Sequence, residues 1–106
     1  MGFLDFFKGT DINQSVKEYQ QTQGAVLLDV RTQQEYQAGH IPGSRNLPLH
    51  HLDRMEQSGD NQDKPIYVYC QSGARSAQAA ARLKQMGYTR VKNIGGIAGY
   101  AGKVER

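Results

Sequence analysis

Two short apolar runs with almost no polar interruption divide the chain. They are Ala25-Val26-Leu27-Leu28-Asp29-Val30 and Ile66-Tyr67-Val68-Tyr69. Runs of this length, rich in β-branched and aromatic residues, predict strands buried on both faces. Elsewhere the apolar positions are spaced for helices. Asp11 to Ser15 offers an N-cap for a short helix reaching about Gln21. Thr32 and Glu35 stand at capping-box spacing ahead of Tyr36 and Ala38. His50 to Gln57 reads as helical. Ser76 opens an alanine-rich run with Leu83 and Met86 at helical spacing, and Gly87 is a suitable terminator. Gly39 to Ser44 is a turn-rich loop, Asn46 to Leu49 a brief extended piece, and Ser58 to Lys64 a polar loop. Arg90 to Ile94 reads as a last strand. Gly95-Gly96 then turns the chain into a short closing helix over Ile97 to Val104.

Short strands alternating with helices predict an α/β fold in three layers. A central parallel sheet of about five short strands is flanked by helices on both faces. Ligands of such sheets sit beyond the carboxyl ends of the strands. Asp29, Arg31 and Cys70 all fall at such ends, so two charged residues and a thiol from distant parts of the chain should share one rim.

With 106 residues the chain is expected to form one domain over residues 11–106. Residues 1–10 are read as a short amphipathic segment. Phe3, Leu4, Phe6 and Phe7 cluster there, but Asp5 interrupts them, and the pattern lacks the cationic start and cleavage site of a signal peptide. Phe6 stands where N-myristoylation wants Ser or Thr. No run is long enough to span a membrane. The net charge of +3 suits a small anionic substrate, and the scattered Lys and Arg form no basic stripe for nucleic acid. A single cysteine makes no internal disulfide, and a free thiol fits a reducing, cytoplasmic setting.

That cysteine is the chemical centre of the sequence. Cys70 ends a predicted strand, and Gln71, Ser72, Gly73, Ala74 and Arg75 lead from it into the helix that begins near Ser76. Unpaired amides and the positive end of a helix dipole favour anions there. They should ease loss of the thiol proton. Gly73 lets the backbone approach closely, and the small residues Ser72, Ala74 and Ser76 leave room. A lone cysteine is more often an inert core residue, but the loop, the arginine and the helix together point to an activated nucleophile. His50 and His51 are adjacent with no spaced partner, so no metal site is expected.

Five ordered motifs carry a family resemblance. They are Leu27-Leu28-Asp29-Val30-Arg31, Glu35-Tyr36, Gly39-His40-Ile41-Pro42-Gly43-Ser44, Val68-Tyr69-Cys70-Gln71-Ser72-Gly73-Ala74-Arg75-Ser76 and Asn93-Ile94-Gly95-Gly96-Ile97. From Ala25 to Gly102 the sequence resembles the rhodanese domain in its single-domain sulfurtransferase form. One departure is Tyr100, where such domains often carry Trp. The resemblance implies transfer of sulfane sulfur from thiosulfate or a related donor to cyanide or a thiol, through a persulfide on Cys70. It calls for no cofactor. Its partners are a small anionic sulfur donor and a thiol acceptor, either a small molecule or a protein. Cys70 and Arg75 would be catalytic. The amides from Gln71 to Ser76 would hold the persulfide, and Arg75 would attract the donor and stabilise departing sulfite. Asp29, Arg31 and His40 would support the loop.

Cysteine phosphatases, including the cell-cycle phosphatases and arsenate reductases that share this fold, place five residues between Cys and Arg. Only Gln71, Ser72, Gly73 and Ala74 intervene here, a ring better suited to one sulfur atom than to a phosphoryl group. A non-catalytic binding module and a redox-sensing thiol are the other readings. The first would usually lack the cysteine, and the second lacks a resolving partner.

Overall fold

The computed structural model describes residues 11–58 and 61–106. They form helix α1 (Ile12–Gln21), strand β1 (Val26–Asp29), helix α2 (Gln33–Ala38) and strand β2 (Ser44–Asn46). A 3-10 segment (Leu49–Ser58), strand β3 (Ile66–Cys70), helix α3 (Ala74–Gln85), strand β4 (Val91–Gly96) and a closing 3-10 turn (Ile97–Gly99) follow. The amphipathic segment expected over residues 1–10 lies outside the described residues.

Helix starts follow the local chemistry. Asp11 caps α1 by accepting from the Asn13 amide at 3.0 Å. Thr32 and Glu35 complete a reciprocal capping box on α2, with the Thr32 amide donating to Glu35 and the Glu35 amide to Thr32. The strands lie in the order β2-β1-β3-β4, and every neighbouring pair is parallel. The described residues therefore carry four strands where about five were expected. The piece expected over Asn46 to Leu49 starts earlier, at Ser44, which pairs with Leu27. It stops at Asn46 because Pro48 has no amide to extend a ladder. The Leu47 and Leu49 amides turn instead to the carbonyls of Asp29 and Val30.

The two apolar runs supply the central strands, and every residue of β1 and β3 is buried. Side chains alternate across them. Val26, Leu28, Ile66, Val68 and Cys70 face Leu52 and Met55 of the 3-10 segment and Ala79 and Leu83 of α3. Leu27, Tyr67 and Tyr69 face Ile12, Val16 and Ile41 on the opposite side. Helical elements thus cover both faces, and the cysteine emerges on the α3 side.

Two expected helices differ. Residues 50–57 belong to a 3-10 segment kinked at His51, whose φ is −116°. The closing helix shrinks to Ile97–Gly99, because Gly99 and Gly102 weaken helix propagation. Beyond it the chain pairs Glu105 with His40 in an isolated antiparallel bridge, both hydrogen bonds being 2.8 Å long.

Tyr69 ties β3 to the loop before β2. Its hydroxyl accepts from the Ile41 amide at 3.1 Å and donates to Ser44 Oγ at 3.2 Å, and burial pushes the phenol far above its ordinary pKa. Replacing Tyr69 with Phe leaves a buried amide without its partner. Urea unfolding of Tyr69→Phe should show a loss of about 1–3 kcal/mol. An unchanged midpoint would mean that the loop is held by other contacts.

Candidate active site

Cys70 is the last residue of β3, and the chain reaches α3 within three residues. Gly73 makes that turn possible. Its φ of +103° lies in the left-handed region, and it serves as the N-cap of α3. The turn points the Gly73 amide back at Cys70 Sγ, at 2.9 Å. The amides of Ser72 and Ser76 and the Ser76 hydroxyl also act on the sulfur. Burial is the largest single influence on this thiol and pushes its pKa up. The four donors together outweigh burial and leave it below the ordinary cysteine value.

Cys70 is only 1 % exposed. In burial alone it resembles an inert core cysteine. The inward-turned amides set it apart, since a thioether-like core sulfur needs no ring of donors. Of the residues expected to cradle the sulfur, Ser72, Gly73 and Ser76 direct groups at it. Gln71 serves the frame: its carbonyl accepts from the Ala98 amide at 3.2 Å and its Oε1 from Arg31 Nη1 at 3.4 Å. Ala74 opens α3 and is exposed.

Beneath the loop lies the Gly95-Gly96 pair. A Cβ built on Gly96 would sit 2.7 Å from Ser72 Cα and closer still to the Gln71 carbonyl oxygen. Only glycine lets β4 pass under the loop at this distance. Asn93, two residues earlier, accepts at Oδ1 from Ser76 Oγ at 2.7 Å and from the Gly95 amide at 3.1 Å. The Ser76 hydroxyl also lies 3.0 Å from the Gly73 carbonyl. Its one proton therefore has oxygen acceptors and the sulfur within reach. Asn93 and Gly96 fall in a quoted motif, but no spacing rule links them to a cysteine more than twenty residues away.

The charged residues form two closed pairs. Asp29 and Arg31 are 0 % and 4 % exposed and meet through three side-chain contacts of 2.8 to 3.1 Å. Arg31 also donates to the Gly39 carbonyl at 2.7 Å, and its guanidinium lies 5.7 Å from the Tyr69 ring centre. Arg75 was expected to attract the anionic donor as a fixed cation at the loop. It makes a two-pronged ion pair with Glu35, Nη1 to Oε1 at 2.7 Å and Nη2 to Oε2 at 2.9 Å. The guanidinium beside it holds the Glu35 carboxyl at about 2, with the Thr32 amide and hydroxyl adding to the effect against burial. In the sequence Glu35 stood as a helix cap and as part of the Glu35-Tyr36 motif, with no link to Arg75. The 40 residues between it and Arg75 hid its second partner.

His40 keeps to its own turn. Its ring stacks on Tyr36 at 3.7 Å, and its Nδ1 lies 2.9 Å from the Tyr36 carbonyl oxygen. His50 and His51 line a groove of about 780 Å³ with Thr32, Tyr36, Asn46 and Arg54, and Cys70 is not part of its lining. A smaller hollow of about 370 Å³ touches the loop at Gln71 and Ser72, with Gly96 as part of its floor. Among the described residues no group of three or more His, Cys, Asp or Glu side chains could hold a metal ion. No helix among them is long and apolar enough to cross a membrane.

The model of the rhodanese-like domain matches residues 13–103. The chain belongs to that family. It is 44 % identical over 81 residues to a sulfurtransferase of Allochromatium vinosum, covering 76 % of this chain and 75 % of the relative. It is 38 % identical over 71 residues to the thiosulfate sulfurtransferase PspE of Escherichia coli, covering 66 % of this chain and 68 % of the relative. Among solved structures, a rhodanese with anions from E. coli superposes with a TM-score of 0.72 at 34 % identity, over 77 % of this chain and 98 % of that one. The names of these relatives support a sulfurtransferase.

The alkylation rate of Cys70 by iodoacetamide, measured against pH, should have its midpoint below that of a free cysteine, because a lowered pKa populates the thiolate at lower pH. Ser76→Ala should move the midpoint up, and a midpoint at or above the free value would contradict the assigned donors. Gly96→Ala forces β4 and the loop apart. It should cost roughly 1–3 kcal/mol in urea unfolding and raise the same midpoint; a silent substitution would remove Gly96 from its place under the loop.

Proposed function

We propose that this protein transfers sulfane sulfur from thiosulfate, or a related small anionic donor, to a thiol or cyanide through a persulfide on Cys70. The observation that carries this reading is the Gly73 amide at 2.9 Å from Cys70 Sγ, together with a thiol pKa held low despite burial. The thiolate attacks the outer sulfur of the donor. The donor's S–S bond breaks, and its electron pair leaves with sulfite. The sulfur stays on Cys70 as a persulfide anion. An acceptor thiolate then attacks that outer sulfur, and Cys70 departs as thiolate, so that donor and acceptor need never meet. The amides of Ser72, Gly73 and Ser76 stabilise the negative charge at both stages, as donors fixed in place before the reaction.

Arg75 and Arg31 have different work in this scheme. Arg31, buried against Asp29 and reaching Gln71, holds the loop. Arg75 is partly exposed and sits at the rim, where it can meet an arriving anion only in competition with Glu35. The four-residue spacing between Cys70 and Arg75 favours a single sulfur over a phosphoryl group. The presence of the cysteine favours an enzyme over a binding module.

Intact-protein mass spectrometry after incubation with thiosulfate tests the reading. The wild type should gain one sulfur atom, released by cyanide or a small thiol, and Cys70→Ser should gain none and turn over no thiosulfate. An adduct surviving in Cys70→Ser, or faster hydrolysis of an aryl phosphate than thiosulfate turnover, would overturn it.

A further inference from the structure

The sulfurtransferase reading leaves open which donors the site prefers, and the ion pairs at its rim bear on that choice. Each arginine near the loop is matched by a carboxylate. Arg31 is closed by Asp29 in the interior, and Arg75 is closed by Glu35 through both of its terminal nitrogens, at 2.7 and 2.9 Å. With Cys70 ionised, the formal charge over these five groups is negative. The remaining attraction for an anion comes from amide dipoles at the start of α3, equivalent to about half a charge. Among the described residues, neither Arg31 nor Arg75 offers an unmatched guanidinium to a dianion approaching this thiolate. Arg75 must first be drawn off Glu35, and Glu35 then stays behind as a bare carboxylate.

We infer that Glu35 sets the donor charge this site accepts, restraining Arg75 so that sulfane donors with a single negative charge are favoured over dianionic thiosulfate. This inference rests on the sulfurtransferase reading and narrows its substrate class. Glu35 is a positioning residue here, acting on the donor through Arg75. Three features fit it to that task. Its Oε1 is fixed from a second side by the Thr32 amide at 2.9 Å, a main-chain contact that Thr32→Ala retains, so the carboxylate is held as the arginine is drawn off. Its pKa of about 2 keeps it charged at any working pH. The pair sits at the rim, with side-chain exposures of 36 % for Arg75 and 33 % for Glu35, where an incoming ion can compete for the guanidinium.

Methanethiosulfonate provides the probe. It presents the same sulfane sulfur as thiosulfate, with a methyl group in place of one charged oxygen, and carries one negative charge. Cys70 thiolate attacks its outer sulfur, the S–S bond breaks, and methanesulfinate leaves with the electron pair. The Cys70 persulfide is the same with either donor. Steady-state kinetics with both donors should be measured for the wild type, Glu35→Gln and Thr32→Ala. Gln keeps the capping role at the third helical position while removing the charge. Thr32→Ala weakens the cap and leaves the charge in place, so it reports any purely structural effect on the loop.

Glu35→Gln should lower KM for thiosulfate on the order of tenfold, as expected for unmasking one charge at a partly exposed site, and the gain should shrink as ionic strength rises. KM for methanethiosulfonate should change by less than about threefold. Thr32→Ala should leave the ratio of kcat/KM for the two donors at its wild-type value. An unchanged ratio in Glu35→Gln, or an equal shift in Thr32→Ala, overturns the inference while leaving sulfur transfer standing. If neither donor loads sulfur onto the wild-type protein, the inference and the sulfurtransferase reading fall together.

Discussion

A main-chain amide that donates to a cysteine sulfur has to be aimed at it, and the aim constrains a large part of this chain. The Gly73 amide reaches Cys70 Sγ at 2.9 Å only because the backbone turns back on itself directly after β3. The turn needs a residue at φ +103°, which is why position 73 is glycine. It also presses the Gln71-Ser72 backbone onto β4, where anything larger than Gly96 would collide. Asn93 then fixes both Ser76 and Gly95 with one oxygen, so the loop, the helix start and the neighbouring strand are held as a unit. Because the donors are in place beforehand, charge on the sulfur is stabilised without rearrangement, and this is what keeps the thiol acidic against the cost of its burial.

The charged groups serve this frame more than they serve as loose attractants. Asp29 ends β1 and Arg31 lies just beyond it, yet both are as buried as the core. Removing a charge pair of this kind from water is tolerable only when every polar atom finds a partner. Arg31 finds Asp29, the Gly39 carbonyl and Gln71, which links the ends of β1 and β3 to the turn before β2. The Glu35-Arg75 pair does the same at the rim, joining the first turn of α2 to the first turn of α3. In the proposed chemistry the amides therefore carry the stabilisation, and the arginines decide what reaches them.

Much of this was legible in residues that act locally. The capping box of Thr32 and Glu35, the Asp11 cap and the strand ending on Cys70 each follow from a few neighbouring residues, whereas Gly73 was read only as room for close approach and its left-handed turn came from the structure. What escaped was set by tertiary contact. Glu35 reads as a helix cap because its other partner lies 40 residues on. Gly96 reads as a turn residue because the loop pressing on it is far away in sequence. The helix expected near His50 became a 3-10 segment, and the expected closing helix gave way to a short 3-10 turn and a tail that bridges to His40 through Glu105. The amides around Cys70 were foreseen, but its near-complete burial was not, since a strand end can be open or covered depending on what packs over it.

The site's chemistry rests on the amides of Ser72, Gly73 and Ser76 bearing the charge of the Cys70 thiolate. An NMR titration of their amide proton resonances against pH tests it most directly. All three should shift with one shared midpoint, below that of a free cysteine, and the shared transition should vanish in Cys70→Ser. Resonances that stay flat while the thiol ionises would contradict it.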